Sequence, residues 1–208
     1  MKIESLASQP DRAGRYTVRF SDGSILRLYK QTVQDFGLFS GLEMTGEELQ
    51  RLRVASGEMS AKMRAVRIVS ASGVSKQELE HRLISKGEDP AQARNAVQWM
   101  ADMELVDDRK TARQIVDRCI SKGYGRARAK QALYEKRIPK EYWQEVLEDY
   151  PDQSEKIADF LTARLGNSRD ERELRRAVDA LLRRGHSYAE IRQVLAQMEA
   201  DGDFAEDY

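Results

Sequence analysis

Apolar and polar positions alternate over Arg15-Tyr16-Thr17-Val18-Arg19-Phe20, which puts Tyr16, Val18 and Phe20 on one face of a strand. Ser21-Asp22-Gly23-Ser24 follows as a turn, with Gly23 tolerating positive φ. Ile25-Leu26-Arg27-Leu28-Tyr29 returns as a second strand. A two-stranded ribbon alone is marginal in water, so it needs a partner, and Lys2-Ile3-Glu4-Ser5-Leu6 is the candidate third strand. Residues 31–36 have room for a short helical turn.

From Thr45 onward the punctuation is helical. Thr45 with Glu48 fits a capping box, in which the hydroxyl accepts from a free N–H of the helix start and the carboxylate reaches back. The pairing recurs at Ser75 with Glu78, Ser168 with Glu171 and Ser187 with Glu190. Asp89-Pro90 offers an N-cap followed by a proline at the first helical position, where its missing N–H costs little. Gly73, Gly87, Gly123, Gly166 and Gly185 each stand where a helix should stop, and a left-handed glycine there closes the last turn.

The stops repeat. Leu83-Ile84-Ser85-Lys86-Gly87, Leu133-Tyr134-Glu135-Lys136-Arg137 and Leu181-Leu182-Arg183-Arg184-Gly185 begin 50 and then 48 residues apart. Val97, Leu147 and Leu195 keep those offsets, as do Met100, Tyr150 and Met198; Gly73 and Gly123, Val66 and Val116, and Val69 and Cys119 keep the first. A period this long is a tandem array of three-helix units that bury apolar faces partly against neighbours. The expected fold is mainly α, three such repeats behind a small extension containing a β-hairpin. Helices are expected over 58–71, 75–86 and 90–103, then 108–122, 126–137 and 139–149, then 154–165, 169–184 and 188–199. The expected organisation is an extension with a connecting helix over 1–57, repeats over 58–105, 106–150 and 151–200, and an acidic tail over 201–208. Asp149-Tyr150-Pro151-Asp152 marks the break between the second and third repeats.

Composition narrows the function. The chain has 208 residues, 40% hydrophobic and 34% charged, well above the ~25% charge of ordinary globular domains, which suits small helical units with large wet surfaces. Its single cysteine, Cys119, excludes a disulfide within the chain. No apolar run approaches the ~18 residues needed to span a bilayer, and the first residues lack the apolar core of a secretory signal, so the expectation is a cytoplasmic protein that engages no membrane. No phosphate-cradling G-x-x-x-x-G-K-[ST] or strand-borne G-x-G-x-x-G is present. His81 and His186 fall in different repeats, and with one cysteine they do not make up the three or four ligands of a zinc site. Cys119 is equivalent to Val69 and reads as a small core hydrophobe. The adjacent Asp107-Asp108 reads as a helix cap. Gly123-Tyr124-Gly125 reads as a helix terminus and hinge. We therefore expect no catalytic residue, no cofactor and no metal.

Lys plus Arg and Asp plus Glu are both 35, so net charge is silent, but its distribution is not. Between Arg109 and Arg137 lie Arg109, Lys110, Arg113, Arg118, Lys122, Arg126, Arg128, Lys130, Lys136 and Arg137, opposed by Asp117 and Glu135 alone. Such a band suits phosphate contacts, which are sequence-independent and weaken steeply with salt; it equally suits an acidic groove of a protein partner, or serves only as a solvated face. Tyr124 either stacks on a base or packs across a repeat junction.

The run Leu105-Val106-Asp107-Asp108-Arg109-Lys110-Thr111-Ala112, then Ser121-Lys122-Gly123-Tyr124-Gly125 and Leu133-Tyr134-Glu135-Lys136, resembles the central signature of the RecX family. Leu83-Ile84-Ser85-Lys86-Gly87 agrees with it. The resemblance covers about residues 58 to 200, and residues 1–50 are similar to the amino-terminal extension of longer members. Two positions depart: Lys110-Thr111-Ala112 stands where family members carry an aromatic residue, and Arg137 where they tend to have glycine. The resemblance implies a non-catalytic modulator, mainly an inhibitor, of the bacterial RecA recombinase in homologous recombination and the SOS response. It implies binding to the filament of RecA on single-stranded DNA, with reduced filament growth, ATP hydrolysis and strand exchange. Independently of the resemblance, the chain is expected to be a monomer. A stand-alone DNA- or RNA-binding helical module and a protein-binding helical scaffold stay open as other classes.

Overall fold

A computed structural model describes residues 1–166 and 170–200. The strand reading of the start holds: β1 (Ile3–Leu6), β2 (Arg15–Phe20) and β3 (Ile25–Tyr29) form an antiparallel sheet in the order β1-β2-β3. Arg19 faces Ile25 across the hairpin, Gly23 takes φ 81°, and Asp22 Oδ1 accepts from the Ser24 amide and hydroxyl. The short α1 (Lys30–Asp35) follows directly. Beyond it, the segment through Leu38 and Met44 runs along the free edge of β1: the Ile3 amide donates to the Leu42 carbonyl, the Gly41 amide to that of Ile3, and the Met44 amide to that of Met1. This edge cover, which blunts an otherwise open strand, carries no alternation in sequence and was not expected.

The next helix is longer than its pattern suggests. α2 (Gly46–Ala71) starts at the Thr45–Glu48 capping box and continues unbroken through residues 57 and 58, so the connecting helix and the expected helix over 58–71 are one. It is followed by α3 (Lys76–Ser85) and α4 (Pro90–Asp102), capped by Ser75 and Asp89. Gly73 does not close α2 in a left-handed conformation as expected; Ser72, at φ −166° and ψ 146°, leads the chain out extended. Leu79, Leu83, Ala93, Ala96 and Met100 of α3 and α4 pack on Ala61 and Ala65 of α2. The nearly buried Glu88 ties the α3–α4 turn to α2 through Ser60 and Arg64, at 3.0 and 2.7 Å.

The remaining helices are α5 (Asp108–Ser121), α6 (Arg126–Glu135), α7 (Trp143–Glu148), α8 (Ser154–Leu165), α9 (Glu171–Arg183) and α10 (Tyr188–Ala200). The expected helix over 139–149 splits into a 3-10 turn at Lys140–Tyr142 and α7. Ala112, Val116, Cys119, Ala129, Leu133 and Leu147 form one core; Ile157, Leu161, Ala177, Leu181, Ile191, Val194 and Met198 form the next. The fold is thus mainly α, three three-helix repeats behind a three-stranded sheet. By backbone contact the chain divides into two units, Met1–Val106 and the part from Asp107 onward. Of the capping boxes, Ser187–Glu190 is present in both directions, whereas Ser168 lies outside the described residues and Asp170 caps α9 by accepting from the Arg172 amide. The acidic residues 201–208 also lie outside the described residues.

Candidate functional site

The second repeat begins at Asp107, whose Oδ1 accepts from the Lys110 amide at 3.0 Å and caps α5; such a cap stabilises a helix by about 1 kcal/mol. The apolar stripe Ala112, Ile115, Val116, Cys119 then faces inward, so Arg109, Lys110, Arg113, Arg118 and Lys122 are left on the wet side. Gly123, at φ 63°, closes α5, and Gly125 starts α6, which buries Ala129 and Leu133 and exposes Arg126 and Lys130. Arg128 and Lys136 are half-buried and Arg137 is exposed.

The band is not uniformly available. Arg109 binds Glu145 through Nε at 2.8 and 2.9 Å and through Nη2 at 2.7 Å, and Arg113 joins the same carboxylate. The guanidiniums of Arg109 and then Arg113 hold the Glu145 carboxyl below its ordinary range. Arg128 pairs with Glu135 at 3.0 Å, and Lys110 reaches Asp107 at 3.8 Å. Among the described residues, Arg118, Lys122, Arg126 and Lys130 have no carboxylate partner. They are the part of the band open to an outside anion.

Tyr124 is not a free stacking surface. It packs half-buried on the core of its own repeat, and its carbonyl accepts from the Tyr150 hydroxyl at 2.6 Å. Burial pushes that hydroxyl up to about 12. Cys119 is buried as expected, and loss of water raises its thiol against the pull of Arg128, Lys122 and Arg118. His81 is exposed; His186 is buried. Among the described residues no group of three or more His, Cys, Asp and Glu could hold a metal, and no helix is long and apolar enough to cross a membrane.

Two glycines extend the basic surface beyond what the sequence suggested. The Gly125 amide donates to the Arg184 carbonyl at 3.0 Å and the Ala127 amide to that of Gly185 at 3.3 Å. A Cβ on Gly125 would meet Gly185 O at 2.1 Å, so the backbones touch. This contact sets the α9–α10 turn, with Arg183 and Arg184, against the basic start of α6, and Arg184 stacks on Phe160 with 4.5 Å to the ring centroid. Lys156 also packs on Gly123. Arg183, Arg184 and Lys156 belong to this surface, yet in the sequence they stand 26 residues or more from Lys130; the only signal was the repeated basic-glycine stop.

The class is therefore a helical repeat protein whose second repeat carries a cationic surface, four of whose cations have no carboxylate partner among the described residues. A family model described as RecX, second three-helix domain, matches residues 107–147. A regulatory protein RecX of Clostridioides difficile (strain 630) is 29% identical over 138 residues, 66% of this chain and 63% of that one; this chain thus spans under two thirds of that relative's length. A regulatory protein RecX of Vibrio parahaemolyticus serotype O3:K6 (strain RIMD 2210633) is 24% identical over 146 residues, 69% of this chain and 94% of the relative. A crystal structure of a regulatory protein RecX superposes with a TM-score of 0.65 at 18% identity, over 94% of this chain and 98% of the other, which speaks for the fold. Residues 107–147 thus match one domain of the RecX family, and the chain is similar in sequence and in fold to regulatory proteins RecX.

Proposed function

We propose that this chain regulates the RecA recombinase by binding its filament on single-stranded DNA and restraining filament growth, ATP hydrolysis and strand exchange. The observation that carries the reading is the set Arg118, Lys122, Arg126 and Lys130, which lack a carboxylate partner among the described residues. Charges left unpaired on a surface attract an anionic fibre and steer its approach. The cations expected to engage it are Arg109, Lys110, Arg113, Arg118, Lys122, Arg126, Arg128, Lys130, Lys136 and Arg137, now joined by Arg183. Hydrolysis would belong to the recombinase, so the regulator needs no catalytic group or cofactor of its own. In this reading it acts in the cytoplasm, as a monomer, within recombination and the SOS response.

The test is RecA ATPase activity on single-stranded DNA, titrated with the chain. The wild type should suppress it. Lys122→Glu, Arg126→Glu, Arg128→Glu and Lys130→Glu combined should abolish suppression while leaving the helical spectrum intact. Equal suppression by the quadruple variant would remove the band from the mechanism.

A further inference from the structure

The second repeat holds five aromatic residues, Tyr124, Tyr134, Tyr142, Trp143 and Tyr150. Four pack on its core; two of these also carry polar anchors, Trp143 Nε1 donating to the Ile138 carbonyl and the Tyr150 hydroxyl to that of Tyr124. Tyr134 is the exception. The residue is 67% exposed and takes no part in that core. Folding therefore gives no account of an aromatic ring at this position.

Its neighbours suggest one. Arg126, Lys130 and Tyr134 stand four residues apart on α6, the spacing of one surface ridge. Neither cation has a carboxylate partner among the described residues, and the nearby Glu135 is taken up by Arg128 and Gln131. The first and third repeats also place an apolar side chain in water at the equivalent position, Ile84 at 39% and Leu182 at 41% exposed. The second repeat is the one that combines this outward position with a ring and open cations.

An exposed ring beside a row of cations is the arrangement that holds single-stranded nucleic acid: the ring stacks on a base whatever its identity, and the cations hold the flanking phosphates. We infer that Tyr134 stacks on an unpaired nucleobase of single-stranded nucleic acid, with Arg126 and Lys130 on the adjoining phosphates. This site deepens the function proposed above and rests on its reading of the band as the face turned toward nucleic acid.

The experiment compares binding of the full chain, at low salt, to labelled oligothymidylate and to an abasic phosphodiester of the same length. The two carry the same charge and differ in bases alone. The wild type should prefer the base-bearing oligomer by roughly tenfold. Tyr134→Ala should lose that preference and keep its affinity for the abasic chain, and Tyr134→Phe should retain both. Equal binding of the two oligomers by the wild type, or an undiminished preference in Tyr134→Ala, overturns the stacking site and leaves the cationic surface standing. Failure of the wild type to bind either oligomer removes both. Unchanged preference together with weaker RecA inhibition by Tyr134→Ala would make the ring a protein contact and overturn the site as stated.

Discussion

His186 Nε2 donates to the carbonyl oxygen of Gly123 at 3.0 Å, tying the turn after α9 to the turn after α5. A carbonyl only accepts, so the proton sits on Nε2 and leaves Nδ1 as a lone pair, buried and with no hydrogen-bond partner among the described residues. Protonating Nδ1 would bury a cation facing Arg184, with the Glu190 carboxylate acting in its favour.

That geometry gives a pH dependence with a definite sign. Burial holds the imidazole below its ordinary value of 6.5. The unfolded chain then takes up a proton at a pH where the folded chain does not, so stability rises with pH through that interval. Stability should be flat above about pH 6.5 and fall below it until the folded imidazole itself titrates. Urea midpoints at about pH 7.5 and about pH 5.5 read the effect. His186→Ala should lower the midpoint at the higher pH and respond less to acid. An equal acid response in both proteins would assign the loss to other groups.

The glycine contact beside it predicts a second effect. A methyl on Gly125 would lie 2.1 Å from Gly185 O, and one on Gly185, at φ 89°, would lie 2.2 Å from the Arg128 amide nitrogen. Both neighbours are backbone and have little room to yield. Gly125→Ala and Gly185→Ala should each destabilise the chain by about 1–3 kcal/mol, the usual cost of overpacking, seen as a lower thermal midpoint. Gly46→Ala, in the first turn of α2 with open space around it, should be neutral or gain up to ~1 kcal/mol.

The helices of all three repeats were legible because their ends are written in local chemistry: Asp89-Pro90, Asp107 and the glycines at 87, 123 and 185 act on backbone within a few residues. The ten cations of the band were legible as a cluster, but their availability was not, since Glu145 reaches Arg109 and Arg113 from another helix. The run along β1 and the Gly125–Gly185 contact are backbone pairings between distant segments, and composition carries no trace of them. Tyr134 was hidden for a related reason: periodicity marks which residues face inward, but not which outward ring is left bare.

Arg137 offers a test in the opposite direction. It stands at the helix stop filled by Gly87 and Gly185 in the other repeats, and takes φ 53°. A side chain in that conformation costs roughly 1–2 kcal/mol relative to glycine. Arg137→Gly should therefore raise the thermal midpoint by a few degrees. Because it removes one cation, it should also weaken binding to single-stranded DNA slightly. A lower midpoint would mean that the Arg137 side chain contributes more to the fold than its backbone strain costs.

Glu145 is the most informative single position on the surface itself. Its carboxylate accepts from both Arg109 and Arg113, neutralising one of two charges at the start of α5. All three side chains are well exposed, at 57%, 58% and 38% for Arg109, Arg113 and Glu145, so the cluster adds little to stability. Glu145→Gln keeps an oxygen that accepts from both guanidiniums and removes the charge. If the start of α5 faces the nucleic acid, the variant should bind single-stranded DNA more tightly. The dependence of log affinity on log salt should then steepen by about 0.7 for each further phosphate engaged. Arg109→Ala with Arg113→Ala should do the reverse. Unchanged affinity and slope in Glu145→Gln would confine the binding surface to the end of α5 and to α6, around Arg118, Lys122, Arg126 and Lys130.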